Sequence, residues 1–242
     1  MSELYFLYYI VILKFSSLNR IISIGCLDIP KKTVKDKEKE TNAGVLFKNT
    51  EEPDIIDSIL VGLILGDSWL EKQKINARLR FEQSHLRTEF FFDVFKFISI
   101  YSPNLPKLRE RFDKRTQKIY QTWHFSTLSL PYFTKYFDLF YVNNKKCIPS
   151  NIENRLNSRA LAYWIMCDGY KYNRGVALAT NNFSLTDNEL LINALNKNFN
   201  FNFKLINDHG QPTIYIPFEN VTNLQILVIP FMHSSLLYKI HL

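Results

Sequence analysis

Two apolar runs, each closed by a single aspartate, organise the hydrophobic pattern of this chain. The first covers residues 60–67 (LVGLILGD) and the second covers residues 161–169 (LAYWIMCDG). A run of this length fits a buried strand or a buried helix, because periodicity alone does not separate the two. As helices the runs would pack closely, since Gly62 and Gly66 lie four residues apart on one helical face. Asp67 and Asp168 would then emerge together at one end of the pair.

The segments after Asp67 alternate polar and apolar positions, which is typical of strands that expose one face to water. Aromatic-rich segments between them favour helices. The pattern predicts strands over residues 77–83, 107–115 and 119–126, and helices over residues 85–101 and 130–140.

The second half of the chain repeats that order. Thr186 and Glu189 have the spacing of a capping box at the start of a helix. The 101 residues from Asp67 to Asp168 are too many for a solenoid repeat and fit two fused half-domains. Strands and helices grouped in this way predict an α+β fold. The other predicted elements are a strand over residues 176–180, a hairpin of residues 202–207 with 213–216, and a helix over residues 221–232.

The N-terminal segment differs from the rest and predicts an extension before the folded part. Residues 4–13 form an apolar run that is too short to span a bilayer, which needs about 20 residues. The run also has no basic leader and no small-residue cleavage site, so a secretory signal is not expected. It fits a buried strand or a remnant of an upstream reading frame, and no membrane partner is expected. Residues 27–54 are polar and charged and are interpreted as a linker. Asp54 or Asp57 would cap the first motif helix. The predicted boundaries are residues 1–54 for the extension, 55–150 for the first half-domain and 151–242 for the second.

Positive charge is concentrated between the two motifs. The 242 residues carry a formal charge of +7, which favours an anionic partner. Residues 70–150 contain 15 basic and 7 acidic residues, whereas residues 151–242 contain 7 and 6. A hydrophobic fraction of 46% excludes a chain that is disordered throughout. Residue usage rich in Phe, Tyr, Ile, Asn and Lys is what an AT-rich gene would encode, as in many organellar genomes.

The paired motifs resemble those of the LAGLIDADG homing endonucleases, specifically the single-chain, two-motif enzymes of organellar group I introns. Residues 60–67 match the first eight letters of the family motif except at Val61, Leu65 and Gly66. The second copy has Tyr163-Trp164 in place of Gly-Leu and Cys167 in place of the second small residue. The resemblance covers about residues 55–242. It implies a pseudo-two-fold pair of αββαββα half-domains with a saddle-shaped antiparallel sheet.

The two aspartates are the candidate catalytic and metal-binding residues. Taken singly, an Asp at a helix end is often only a cap or a loop residue. Two carboxylates forced close together repel each other, and a hard divalent cation offsets that repulsion. Metal-assisted hydrolysis of a phosphodiester uses such an arrangement. The resemblance implies catalytic and metal-ligating roles for Asp67 and Asp168, with Mg²⁺ as the cofactor and the carbonyls of Gly66 and Cys167 near the ions.

Two lysines are further candidates by position. Lys146 and Lys239 resemble the basic residues that flank the active sites of the family. Their implied role is to polarise the attacking water or to steady the charge on the phosphate. A solvated surface lysine is the competing interpretation of each.

The basic strands between the motifs are the candidate DNA-binding surface. A sheet laid in the major groove reads bases with Arg and contacts phosphates with Lys. An ordinary charged face is the alternative, and the aspartate pair together with the charge surplus favours DNA. The predicted contact residues are Arg78, Arg80, Lys107, Arg109, Arg111, Lys114, Arg115 and Lys118.

The function that these features predict is a monomeric, Mg²⁺-dependent homing endonuclease of the mitochondrion or another organelle. It would hydrolyse both strands of a long duplex target, one strand at each Asp-centred site. The alternative is a maturase, which binds its own group I intron RNA and helps it to fold. A maturase needs the binding surface but not the acids, so the two retained aspartates favour the nuclease. A decayed reading frame with neither activity is a third possibility.

Overall fold

A computed structural model describes residues 52–242 of the chain, with side chains from residue 55 onward. The predicted extension over residues 1–54 lies outside the described residues, apart from its last three positions. Those three belong to the first helix, which begins at Glu52. Neither Asp54 nor Asp57 is therefore its N-cap. Asp57 instead accepts a hydrogen bond from the Tyr132 hydroxyl at 2.6 Å.

The first half follows the order helix, two strands, helix, two strands, helix. Its four main strands form an antiparallel sheet in the order β1-β2-β4-β3. Two short strands, β5 and β6, lead toward the second half. The elements are α1 (Glu52–Leu65), β1 (Ser68–Lys72), β2 (Ala77–Ser84), α2 (Thr88–Ile98), β3 (Lys107–Asp113), β4 (Lys118–Ser126), α3 (Pro131–Phe140), β5 (Tyr141–Val142) and β6 (Lys145–Lys146).

The second half repeats the same order and the same strand arrangement. Its antiparallel sheet has the order β7-β8-β10-β9, so the two sheets are topologically equivalent. The predicted α+β fold with paired αββαββα half-domains is therefore confirmed. The elements are α4 (Ser158–Asp168), β7 (Gly169–Tyr172), β8 (Gly175–Ala179), α5 (Leu185–Phe199), β9 (Lys204–Asp208), β10 (Gln211–Ile216) and α6 (Phe218–Val228).

The predicted capping box was wrong by two residues. Helix α5 begins after Ser184, whose hydroxyl accepts a hydrogen bond from the backbone N–H of Asp187 at 3.1 Å. The Asp187 carboxylate in turn accepts from the Ser184 backbone N–H at 3.2 Å. The same carboxylate accepts from the backbone N–H of Ile148 at 2.9 Å. This contact from a distant part of the chain favours Asp187 over the Thr186 and Glu189 pair suggested by the local sequence.

The two motif helices, α1 and α4, pack directly against each other, as the small-residue spacing predicts. A β-carbon on Gly62 would overlap the Ala160 carbonyl oxygen and lie 2.7 Å from the Tyr163 β-carbon. A β-carbon on Gly66 would overlap the β-carbon of Cys167. Only glycine therefore permits this backbone approach, and the approach fixes the relative position of the two helix ends.

Buried aromatic and aliphatic side chains fill the space between each sheet and its helices. In the first half, Phe81 of β2 stacks on Phe91 of α2 at 5.6 Å between ring centroids. The inner face of the second sheet is formed by fully buried Val176, Leu178 and Ile214. The face of each sheet that points away from its helices is called its outer face.

Within residues 52–242, no helix has the length and apolar character that a membrane span requires.

Candidate active site

Both motif aspartates lie at the C-terminal end of the packed helix pair. Asp168 is the last residue of α4, and Asp67 follows α1 by two positions. The pKa of Asp168 is raised to about 7, first because the carboxyl is buried and second because the charge of Asp67 repels its ionised form. The two carboxylates thus interact electrostatically across the helix interface, as the sequence predicts.

Asp67 is held by a glutamine and an arginine that the sequence did not single out. The Gln83 side-chain amide donates a hydrogen bond to one carboxylate oxygen of Asp67. A guanidinium nitrogen of Arg87 lies 3.8 Å from the same oxygen and 3.4 Å from the Gln83 side-chain oxygen. The sequence contains one signal that Gln83 is unusual, which is its position as a polar residue on the buried face of an alternating strand. Its proximity to Asp67 depends on the strand register.

The second half has no equivalent of Gln83. The residue directly after each motif aspartate pairs with Phe81 in β2 and with Leu178 in β8. Two positions further along, Gln83 therefore corresponds to Thr180. The Thr180 hydroxyl donates to the carbonyl of Pro212 at 3.2 Å, which directs it along the sheet.

The second half has no equivalent of Arg87 either. Four residues beyond Thr180 lies Ser184, the N-cap of α5. A serine is too short to reach across to a carboxylate as Arg87 does. Among the described residues, no hydrogen bond or ion pair is found for the Asp168 carboxylate. The two aspartates therefore share a position in the repeat but have different surroundings.

Lys146 and Lys239 hold the C-terminal ends of the two motif helices. The Lys146 ammonium donates to the carbonyls of Ile64 at 2.7 Å and Ser68 at 3.0 Å. The Lys239 ammonium donates to three consecutive carbonyls at the end of α4, namely Ile165 at 3.2 Å, Met166 at 2.7 Å and Cys167 at 2.9 Å.

These contacts show that neither lysine is a solvated surface residue. The last carbonyls of a helix have no partners within the helix and carry partial negative charge, so an ammonium group stabilises them. Lys239 is only 3% exposed, and burial lowers its pKa to about 8. Burial also lowers the pKa of Lys146, while the charges of Asp168 and Asp67 act in the opposite direction. Both ammonium groups are therefore within electrostatic reach of the aspartate pair.

The Cys167 carbonyl, one of the predicted metal neighbours, is already engaged. It accepts from Lys239 at 2.9 Å and from Arg87 at 3.3 Å. A carbonyl oxygen has two lone pairs, so both are used here. A metal would bind this oxygen only after one donor had moved. The predicted role of the Gly66 carbonyl stays a prediction.

The donor set at the helix ends fits a magnesium ion. Mg²⁺ is usually bound by one or two carboxylates, with waters and substrate phosphates completing the shell. Two neighbouring carboxylates that repel each other would both be stabilised by such a cation. Within residues 55–242 there is no cluster of three or more His, Cys, Asp or Glu side chains that could hold a metal. A metal would therefore depend on Asp67, Asp168, backbone carbonyls and the substrate itself.

A cleft of about 610 Å³ joins Asp67 to the outer face of the first sheet. Its polar lining continues from the helix ends onto strands β2 and β4. The cleft therefore gives a ligand lying on the sheet direct access to the carboxylates. The polar residues that line it are Asp67, Glu82, Gln83, Ser84, Arg87, Thr122, Ser235 and Tyr238.

The strand register brings most of the predicted DNA-binding cations onto this outer face. Opposed residues of antiparallel strands share a face, and the register places Arg78, Arg80, Lys107, Arg109, Arg111 and Lys118 together. Strand β3 ends at Asp113, so Lys114 and Arg115 lie in the turn before β4.

Acidic side chains partly neutralise this face. Glu71 pairs with Arg78 at 2.7 Å and with Arg80 at 3.2 Å. Glu82 lies 3.8 Å from Arg109. These three cations are thus held in defined positions on the sheet, and a polyanion would compete with the carboxylates for them.

Comparisons with known proteins agree with this fold and with the paired motifs. The sequence profile of the LAGLIDADG DNA endonuclease family matches residues 57–224. A protein of Wickerhamomyces canadensis named probable intron-encoded endonuclease 1 is 31% identical over 217 residues, which cover 86% of this chain and 90% of the relative. The homing endonuclease I-WcaI, solved bound to its DNA recognition sequence, superposes with a TM-score of 0.73 at 29% identity. That match covers 84% of this chain and 94% of I-WcaI.

A relative with a different name is similar over nearly the same region. The cytochrome b mRNA maturase bI2 of Saccharomyces cerevisiae is 29% identical over 218 residues, which cover 84% of this chain and 50% of the maturase. The chain thus spans about half the length of that relative. The profile match covers both aspartates and ends before Lys239, whose place in the site follows from its contacts with α4. The fold, the paired motifs and the profile agree, and the chain belongs to the LAGLIDADG DNA endonuclease family.

Proposed function

We propose that this protein is a site-specific DNA endonuclease that hydrolyses both strands of a long duplex with Mg²⁺, as in intron homing. The observation that carries the proposal is the pair of carboxylates at one end of two tightly packed helices. The cleft beside Asp67 opens onto a sheet face that carries six cations. A duplex on that face would bring its backbone to the carboxylates.

The chain's own residues orient the reacting groups. Asp67 and Asp168 would hold the divalent cation, which when bound activates water and stabilises the leaving oxygen. Gln83 fixes the Asp67 carboxylate through its amide. Because the motif helices cannot separate without losing the Gly62 contact, the distance between the carboxylates is set by helix packing.

The basic residues around the carboxylates would bind phosphate. Arg87 lies next to Asp67, is 31% exposed at its side chain and lines the cleft. A guanidinium matches the geometry of phosphate oxygens, so Arg87 would contact the backbone near the point of cleavage. Lys146, which is half-buried, and Lys239, which is buried, donate to carbonyls at the helix ends, and their charges would offset negative charge that develops on the phosphate.

Double-stranded DNA is the partner that the outer face fits best. Arg residues on a sheet in the major groove contact guanine edges or phosphates, and Lys residues contact phosphates. The similarity to I-WcaI, which was solved with its recognition sequence, supports this partner. We propose that the protein acts as a monomer, since one chain supplies both motifs. The intron-encoded relatives support a mitochondrial or other organellar location, and so does a residue usage that an AT-rich gene would encode.

RNA maturation is the second candidate function. It rests on the similarity to the cytochrome b mRNA maturase, which extends over most of this chain. A maturase would use the cationic face for group I intron RNA and would not need Asp67 or Asp168. The Gln83 amide that holds the Asp67 carboxylate has no evident use in RNA binding alone. This arrangement favours the nuclease as the main activity.

The two functions are separated by one paired experiment. The protein is incubated with a library of long duplexes in Mg²⁺ or in EDTA, and the new DNA ends are sequenced. The nuclease proposal predicts breaks in both strands at one recurrent sequence, seen only with Mg²⁺. Splicing of the host intron RNA is measured in parallel. Stimulated splicing without any break in an intronless target would contradict the nuclease and favour the maturase.

A further inference from the structure

The outer face of the second sheet is aromatic and nearly uncharged. The register places Tyr170 opposite Ala177, and Ala177 opposite Tyr215. Tyr172 of β7 and Ile206 of β9 belong to the same face. Each of these large side chains is half-buried, so each keeps part of its surface available to a ligand. The charged strand residues that share the face are Lys204 and Asp208.

The tyrosine rings are held in place by small residues beneath them and by one another. Gly175 lies under Tyr215, since a β-carbon at Gly175 would be 2.5 Å from a ring carbon of that tyrosine. Tyr172 contacts Tyr215 edge to face, with 5.7 Å between ring centroids. Tyr170 lies 6.4 Å from Tyr172, and its hydroxyl donates to the Asp208 carboxylate. The rings therefore form a preorganised apolar surface.

This surface differs in kind from the equivalent face of the first sheet. There the register groups six cations with three carboxylates, which are Glu71, Glu82 and Asp113. The second face has one cation and one carboxylate on its strands, and the carboxylate accepts a hydrogen bond from Tyr170. Charge attraction to phosphates cannot be the main contribution of the second face.

We propose that the second sheet recognises its half of the duplex through apolar contact with thymine methyl groups. The C5-methyl of thymine is the apolar group that base pairs present in the major groove. Tyr172, Tyr215 and Ile206 would contact these methyl groups, while the first sheet contacts phosphates and guanines. The proposal rests on the proposed DNA-binding function and assigns to the second half-domain a preference for thymine-rich sequence.

Deoxyuridine tests the proposal directly, because it lacks only the methyl group and keeps every hydrogen-bonding atom of thymidine. The probe is the duplex recovered from the cleavage library, made with deoxyuridine in one half-site at a time. Binding is measured in EDTA, so that metal-dependent cleavage does not occur. Burial of one methyl group corresponds to roughly a fourfold change in affinity. We expect each contacted methyl to cost about that factor in one half-site, with little effect in the other.

Two substitutions assign the effect to the tyrosine face. In Tyr172→Ala or Tyr215→Ala, the difference between thymidine and deoxyuridine should decrease in the sensitive half-site, by roughly fourfold for each methyl group that the removed ring contacts. In Arg109→Ala, on the first sheet, the difference should persist although overall binding weakens. Circular dichroism checks that the variants are folded. The comparison of thymidine with deoxyuridine in the wild-type complex tests the proposal even where a variant does not fold.

Two results would overturn the methyl proposal. One is a change below twofold for deoxyuridine in both half-sites of the wild-type complex. The other is a methyl effect that both tyrosine variants retain. Either result leaves DNA cleavage intact, so it is distinguishable from failure of the proposed function, in which no duplex is bound or cut.

Discussion

The two half-domains repeat one fold but surround their aspartates differently. In both, a lysine binds the carbonyls that end the motif helix, Lys146 in the first and Lys239 in the second. Asp67 is also bound by Gln83 and lies near Arg87, whereas Thr180 and Ser184 occupy the corresponding positions beside Asp168. The repeat therefore preserves the packing and the helix-end contacts while allowing the two carboxylates to differ chemically.

The two sheets show a second difference in the same direction. The first sheet presents arginines and lysines that are partly paired with Glu71 and Glu82. The second presents tyrosines packed on Gly175 and Ala177. A single chain is not bound by the symmetry of a homodimer, so each half can match a different half of its target. The charge imbalance between residues 70–150 and 151–242 already indicates this division in the sequence.

Substitution of either motif aspartate is expected to have the largest effect, and it tests whether both halves are needed for catalysis. Asp67→Asn or Asp168→Asn should reduce double-strand cleavage on the order of 10³-fold or more, because each carboxylate is a proposed metal ligand. Duplex binding should change little. The measurement is single-turnover cleavage with each strand labelled separately. Asp138→Asn, at an exposed carboxylate that pairs with Lys72, serves as the control. Normal cutting of both strands by either variant would place the active site elsewhere.

A second prediction concerns the buried carboxyl of Asp168 in the metal-free protein. Its pKa is about 7 in the folded state against 3.8 as the usual value, so the folded protein retains a proton that the unfolded chain releases. Stability should therefore be highest below about pH 4 for this group and fall as pH rises toward and through 7. Asp168→Asn removes that loss, by up to about 4 kcal/mol at pH 8.

Urea unfolding in EDTA checks this prediction at several pH values between 4 and 8. The stability difference between Asp168→Asn and wild type should increase across that range. Added Mg²⁺ should reduce the difference, because a bound cation stabilises the ionised carboxylate of the wild type. A pH-independent difference would mean that burial and the charge of Asp67 do not raise the pKa of Asp168 in the folded protein.

The third prediction tests whether helix packing sets the distance between the two halves. Gly62→Leu would place a side chain against the Ala160 carbonyl and Tyr163. Overpacking of this kind typically costs about 1–3 kcal/mol, and catalysis responds to displacements of about 1 Å. The folded variant should lose DNA cleavage far more than nucleic-acid affinity. Gly210→Asn is the control, since a side chain there meets nothing within 4 Å and Asn tolerates its positive φ.

A fourth prediction sharpens the difference between the surroundings of Asp67 and Asp168. Arg87→Ala should lower the cleavage rate about 10- to 100-fold, because it removes a charged donor beside the carboxylate and the cleft. Arg87→Lys should restore part of that loss by returning the charge. The matched change Ser184→Ala removes a helix cap and should cost about 1 kcal/mol of stability with no effect on the rate. Equal effects on rate at the two positions would contradict the asymmetry.

The smallest expected effect compares the salt dependence of the two sheets. Each phosphate contact that is lost should reduce the slope of log affinity against log salt by about 0.9. Arg109→Ala with Arg111→Ala on the first sheet should therefore lower the slope by up to about 1.8 if both contact phosphate. Lys204→Ala on the second sheet should lower the slope by at most about 0.9. Titration of binding between low and physiological salt measures both, and a flat dependence in the wild type would exclude a phosphate-bound sheet.

Much of the fold could be predicted because local sequence patterns determine many of its elements. Alternation placed β2 and β4 close to their observed bounds, the predicted hairpin placed β10 near its own, and the glycine spacing predicted the packing of α1 with α4. Strands β1 and β7 were missed by alternation, since they begin directly after the motif aspartates and are short. The cap of α5 was misplaced because Asp187 is selected partly by Ile148, 39 residues away.

The site was less predictable, for a physical reason. The aspartates and lysines could be identified by their place in the motifs and by resemblance. Gln83 and Arg87 reach Asp67 only through the pairing of β1 with β2 and the turn that follows. The engagement of the Cys167 carbonyl by Lys239 and Arg87 likewise depends on segments far apart in sequence. Local pattern carries no information about such contacts.

A crystal structure of the protein with its cleaved duplex and Mn²⁺, with the ions located by anomalous scattering, would show whether the paired aspartates hold metal at the scissile phosphates. The proposal predicts ions bonded to the carboxylates of Asp67 and Asp168 and to the phosphates at the two cut positions. Ions bound elsewhere, or cut phosphates far from both carboxylates, would contradict it.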